Sequence, residues 1–160
     1  MDLYSEIFVG AFATAVGIFG TILTSRYREN ISTKKDQLKH FYGPLEVLVL
    51  MNKRSFKRYF SEKTTSHEKS FIERNIWHPG HLKTKELIIN QSHHLPKIPD
   101  EIIDLLEHIN VWLSEYELIY DKKEKQGSVF AGTKGYPYPK KSDDFICETA
   151  SKLRGKLNKG

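Results

Sequence analysis

Cysteine is almost missing from this sequence: Cys147 stands alone among 160 residues. No intramolecular disulfide can form, which suits a reducing compartment. Bases are missing from residues 1–25, where Asp2 and Glu6 are the only charges. A secretory signal needs a basic start and a small-residue cleavage site, and neither is convincingly present, so a cleaved leader is not expected. No run alternates apolar and polar residues long enough for a strand. A structural zinc lacks its usual four ligands, because the seven histidines form no second cluster beside His78 and His81 near Glu73, or the pair His93 and His94. The stretch "GSVFAGTK" imitates a phosphate loop without a preceding strand or the Lys-Ser/Thr ending, which excludes an NTPase site. No metal and no cofactor are expected.

What is present begins with "IFVGAFATAVGIFGTIL", seventeen uncharged residues from Ile7 to Leu23. As a helix this run spans about 26–28 Å with Thr24 and Ser25 included, near the thickness of a thin bilayer. Tyr4 and Tyr27 bracket it at the spacing of two interfacial belts. Residues 26–63 then carry ten bases against four acids, and residues 64–160 carry fifteen against fourteen. With Arg26, Arg28, Lys34, Lys35 and Lys39 behind the apolar run, a transmembrane helix is expected with its C-terminal side in the cytoplasm. The alternative is a core helix that is apolar all round. At about 100° per residue, Gly10, Ala13, Thr14, Gly17, Gly20, Thr21 and Thr24 share one face. Small residues let helix backbones approach closely in lipid, so this face is expected to drive self-association or to line a pore.

The remainder reads as helices. Leu38, Phe41, Leu45, Leu48, Met51, Phe56 and Phe60 recur near every three or four residues over roughly 32–60, with a kink or restart expected at Pro44, which cannot donate to the His40 carbonyl. "SEKTTSHEKS" is expected as a loop, followed by a helix near Phe71–Trp77, a turn at "HPGH" and a helix near Leu82–Gln91. Pro99, Asp100 and Glu101 announce the helix with the widest apolar face, which carries Ile102, Leu105, Leu106, Ile109, Trp112, Leu113, Tyr116, Ile119 and Tyr120. A long loop leads to a last helix from about Ser142, with Asp143 and Asp144 in its first turn and Lys152, Arg154 and Lys156 near its end. The expected fold is all-α: residues 1–30 as transmembrane segment and interfacial flank, and residues 31–160 as a small cytoplasmic helical bundle.

Candidate chemistry is sparse. Lys53 with Lys57, and Arg54 with Arg58, make basic rows one helical turn apart; they are a solvated face, or a site for anionic headgroups or a nucleotide. "GTKGYPYPKK" combines Lys134, Lys140 and Lys141 with the ring faces of Tyr136 and Tyr138. These are ingredients of a nucleotide or RNA contact, and equally of a stiff lead into the last helix. Arg74 and His81, with six residues between them in "RNIWHPGH", fit the loose arginine–histidine spacing of HEPN ribonucleases, although Pro79 and Gly80 interrupt it.

The order of an apolar N-terminal run, "FYGPLEVLVLMN", "NQSHHLP", a long helix, "YPYP" and a final helix resembles small membrane-anchored bacterial proteins that accompany CRISPR and other antiviral systems. Two groups are similar in plan: the pore-forming membrane accessory proteins of type VI-B systems, with their HEPN-like domain, and the type III membrane effectors that bind cyclic tetra-adenylate. The resemblance implies a homo-oligomeric effector at the bacterial inner membrane, single-pass, gated by a cyclic oligonucleotide or an RNA-guided complex. The expected partners are the membrane, further copies of the chain and that signal. A passive anchored adaptor and a tethered HEPN-like ribonuclease are the alternatives, and no functional residue is carried over from either group.

Overall fold

The computed structural model describes residues 21, 24–124, 127, 129 and 137–158. Among them are helices and no strand. Helix α1 covers 24–36 and runs through a π-helical turn, Gln37–Tyr42, into α2, Gly43–Tyr59. Helix α3, Ser66–Ile72, runs through a second π turn, Glu73–Trp77, into α4, His78–Gln91. A 3-10 turn at Ser92–His94 leads to α5, Asp100–Tyr116, which ends in a third π turn, Glu117–Asp121. Helix α6 is Lys140–Leu157.

The expected transmembrane helix ahead of a cytoplasmic bundle is corrected here. No helix among the described residues is long and apolar enough to cross a membrane. The helix that does precede the bundle, α1, carries Arg26, Arg28, Glu29, Lys34, Lys35 and Asp36, and such charges are costly inside hydrocarbon. The single-pass inner-membrane location is corrected by the same finding, and what stands is an all-helical bundle. The run Ile7–Leu23 lies outside the described residues, apart from Thr21.

Both prolines that read as helix breakers are accommodated inside continuous helices. Pro44 is the second residue beyond the first π turn and Pro79 the second beyond the second π turn. A proline lacks the N–H for the carbonyl four residues back, and its ring crowds that carbonyl. A π turn widens the helix just there. The Gly43 N–H reaches the Leu38 carbonyl and the His78 N–H reaches the Glu73 carbonyl, each five residues back. The proline then falls in the first turn of the next α-helix, where a missing donor costs little. So "HPGH" is no turn, and α3–α4 continues through it.

The first of these widenings depends on a glycine. A Cβ on Gly43 would sit 2.6 Å from the Leu38 carbonyl oxygen, whereas one on Gly80 would meet nothing within 4 Å. Gly43→Ala is therefore expected to lower stability by about 1–3 kcal/mol through overpacking. Gly80→Ala, in an uncrowded helix interior, is expected to raise it by up to about 1 kcal/mol. Urea unfolding followed by circular dichroism checks both, and equal effects would refute the crowding argument.

Helix α3 starts earlier than its apolar pattern because Thr65 forms a capping box with Glu68. The Glu68 N–H donates to Thr65 Oγ1 at 3.2 Å, and the Thr65 N–H donates to Glu68 Oε2 at 2.9 Å. In the bundle α2 packs against α4 and α6, and α5 packs against the same two helices. The main core joins Phe41, Tyr42, Leu45 and Val49 to Ile88, to Ile102, Leu105 and Ile109, and to Ile146, Ala150 and Leu153. An aromatic cluster of Tyr59, Ile72, Trp77, Trp112, Tyr116 and Val129 closes one end.

Beside that cluster lies a buried carboxylate. Glu73 is 1% exposed; Tyr59 donates to its Oε1 at 2.8 Å, while Tyr120 at 2.8 Å and the Val129 N–H at 3.3 Å donate to its Oε2. The Tyr120 hydroxyl also meets Ser70 Oγ at 3.0 Å. One side chain thus ties α2, the third π turn and Val129 to the second π turn.

Candidate ligand-binding cleft

Helix α2 and the start of α6 diverge around a cleft of about 340 Å³, lined by Asn52, Lys53, Phe56, Lys57, Tyr138, Lys140, Asp143 and Asp144. Lys53 and Lys57 are one turn apart on α2 and Phe56 falls between them, so the helix sets an aromatic face between two ammonium groups. The opposite wall is built by the "YPYPKK" sequence. Pro137 and Pro139 flank Tyr138; its carbonyl accepts from the Lys140 N–H at 2.9 Å, and the Pro139 carbonyl accepts from the Ser142 N–H at 2.9 Å as α6 begins. The Tyr138 hydroxyl donates to Asp143 Oδ1 at 2.5 Å. Burial, and then the Asp143 charge, push the Tyr138 phenol far above its usual range.

Asp143 is 6% exposed. Burial raises its pKa, opposed by the Tyr138 hydrogen bond and the Lys53 charge. Asp144 lies 3.8 Å from Lys53, but both side chains are more than half exposed, so the pair contributes little to stability. Behind Tyr138 is a small inner cavity of about 40 Å³, also bounded by Trp77, His81 and Thr84. That is room for water rather than for a ligand.

Of the candidate ligand residues, Lys53, Lys57, Tyr138 and Lys140 share this cleft. Arg54 is exposed on α2 and does not line it. Arg58 is turned to Glu68, 3.5 Å away on α3. Lys134 and Tyr136 lie outside the described residues. So do Gly10, Ala13, Thr14, Gly17 and Gly20 of the expected oligomerisation face; Thr21 and Thr24 are exposed helical positions. The cleft also holds Asn52, Phe56, Asp143 and Asp144, which sequence reasoning left out. The two aspartates were legible only as helix-start acids, and Phe56 only as a core position.

Arg74 and His81 do not converge on an open site. Arg74 is exposed, with its guanidinium 5.5 Å from the centre of the Tyr120 ring. His81 is buried, its ring 4.6 Å from Trp112 and 6.4 Å from His108. Burial, and then the neighbouring His108 and His78, lower its pKa to about 3. A neutral, enclosed imidazole is not poised to donate a proton near pH 7. The His93 and His94 rings lie 4.1 Å apart and tilted, and His94 stacks on His40 at 5.0 Å. Even so, no group of three or more histidine, cysteine or acidic residues among the described residues is arranged to hold a metal ion.

No protein-family model, curated protein or solved structure matches this chain.

Proposed function

We propose that this chain is a receptor module that binds a nucleotide-type anion between α2 and α6, rather than an enzyme. The observation that carries the reading is the convergence of Lys53, Lys57 and Lys140 with the rings of Phe56 and Tyr138 on one cleft, from segments some eighty residues apart in sequence. Ammonium groups attract phosphate, and flat aromatic faces accept a base by stacking. The cleft's volume falls at the lower end of the range of small-molecule sites. The resemblance to signal-gated CRISPR-associated effectors would make that anion a messenger of antiviral defence, which fits a receptor role; the lysines and rings carry the proposal without it.

Isothermal titration calorimetry of the full chain against a panel of purine mono- and cyclic nucleotides tests this. Saturable binding is expected, weakening as salt rises. The triple substitution Lys53→Ala, Lys57→Ala, Lys140→Ala is expected to lower affinity by about tenfold or more, since hydrogen bonds to charged groups are worth about 1.5–3 kcal/mol each. Substituting Lys83 and Lys85 on α4, outside this cleft, serves as the charge control. Equal losses in the two variants would mean that general charge, not the cleft, holds the nucleotide. No binding by the unmodified chain would refute the reading outright.

A further inference from the structure

The cleft has an electrically sided construction that goes further than "anionic ligand". Its ammonium groups are exposed: Lys53, Lys57 and Lys140 all lie at the rim. Its nearly buried charge is of the opposite sign. Asp143 has one oxygen occupied by the Tyr138 hydroxyl, and its second oxygen, Oδ2, accepts no hydrogen bond from the described residues. Asp144 adds a second carboxylate on the same wall, beside Lys53. A ligand seated with its phosphate among the rim lysines therefore presents its other end to carboxylate oxygens.

Ionised carboxylates only accept hydrogen bonds. The stacking rings tolerate any base, so discrimination falls to this wall. We infer that the cleft selects a guanine-type base, whose N1–H and N2–H₂ are adjacent donors, over adenine. Adenine sets the N1 lone pair beside its N6–H₂ donor, which places acceptor against acceptor at Asp143. This rests on the nucleotide-binding reading above, and it departs from the cyclic tetra-adenylate that resemblance suggested. Tyr138 is a positioning residue in this arrangement: its hydroxyl holds Oδ1, which leaves Oδ2 for the base.

The test is calorimetry of the full chain with GMP, AMP, cyclic di-GMP and cyclic di-AMP at one salt concentration, with inorganic pyrophosphate as a base-free probe. Guanine forms are expected to bind about tenfold or more tighter than adenine forms, the worth of one hydrogen bond to a charged acceptor. Asp143→Asn keeps an oxygen for Tyr138 and replaces the other with a donor. It is expected to shrink or reverse the preference without weakening pyrophosphate binding, whereas Glu148→Gln, on α6 outside the cleft, should leave the preference intact. Equal affinities, or tighter adenine binding, would overturn the inference while the nucleotide reading stands. Absence of binding by all four nucleotides overturns both. If Asp143→Asn does not fold by circular dichroism, the comparison of bases on the unmodified chain still decides.

Discussion

Glu73→Leu is expected to be the most damaging single substitution in the bundle, costing on the order of 3–5 kcal/mol. The estimate follows from what remains behind. The hydroxyls of Tyr59 and Tyr120 and the Val129 N–H all donate to this carboxylate, and each buried donor left without an acceptor costs about 1–3 kcal/mol. In a chain of this size that corresponds to a drop of roughly 10–15 °C in melting temperature. Glu73→Gln keeps the shape and one good acceptor and is expected to lose less. Tyr59→Phe and Tyr120→Phe should each cost about 1–2 kcal/mol. A contrary physical outcome is well defined. Buried charges are expensive to desolvate, and some proteins gain stability when a packed apolar side chain replaces one. A higher melting temperature for Glu73→Leu would mean that desolvation outweighs the three hydrogen bonds.

Acid sensitivity is the second large expectation. His81 has its folded-state pKa lowered to about 3, against about 6.5 when unfolded, so the native state holds it neutral. A group with a depressed histidine pKa contributes fully above pH 6.5, and its contribution is lost as pH falls from 6.5 towards 3, because the unfolded chain takes up the proton first. By pH 4 the loss is on the order of 3 kcal/mol. The half-buried His94, lowered by partial desolvation and by His93 and His40, acts in the same direction. Asp143, raised by burial, acts in the opposite direction at the lower end of the range. Denaturant unfolding at pH 7, 6, 5 and 4 should show a steady fall, and His81→Leu should remove most of it. A variant as acid-sensitive as the parent would place the titrating group elsewhere.

Helical content was plain in the sequence, and α5 almost fully so. Pro99, Asp100 and Glu101 mark its start, and the expected face of Ile102, Leu105, Ile109, Trp112 and Tyr116 is the buried one. Helix α2 was harder, because its apolar residues do not all fall on one face. Phe41 and Leu45 are buried as expected, but Met51 is 57% and Phe60 47% exposed, while Val49 and Tyr59 take their places in the core. Val47, Leu50 and Met51 are apolar yet exposed, so the stripe of α2 was ambiguous in the sequence, and Phe60 lies just past the helix's last residue. Pro44 was legible as an obstacle; the response of the backbone was not. Thr65 and Glu68 were a readable capping signal hidden in a polar stretch. Glu73 had no local signature, since its partners lie 14, 47 and 56 residues away. The cleft was half legible for a similar reason: the lysines and tyrosine stand out as types, whereas the partnership of Asp143 with Tyr138 depends on how α6 leaves the loop.

The π turn at Gln37–Tyr42 also works as an angular setting. One residue of α-helix is a rotation of about 100°, so the extra residue fixes the compass bearing of everything upstream relative to the bundle. Shortening the turn by a single position, at Lys39 for example, would leave the core seam of α2 in place and swing α1 by about that angle. Arg26, Arg28, Lys34 and Lys35 would then point to a different side of the molecule with no change in composition. The length of the chain through this turn, more than the identity of its residues, decides where the basic arm is aimed.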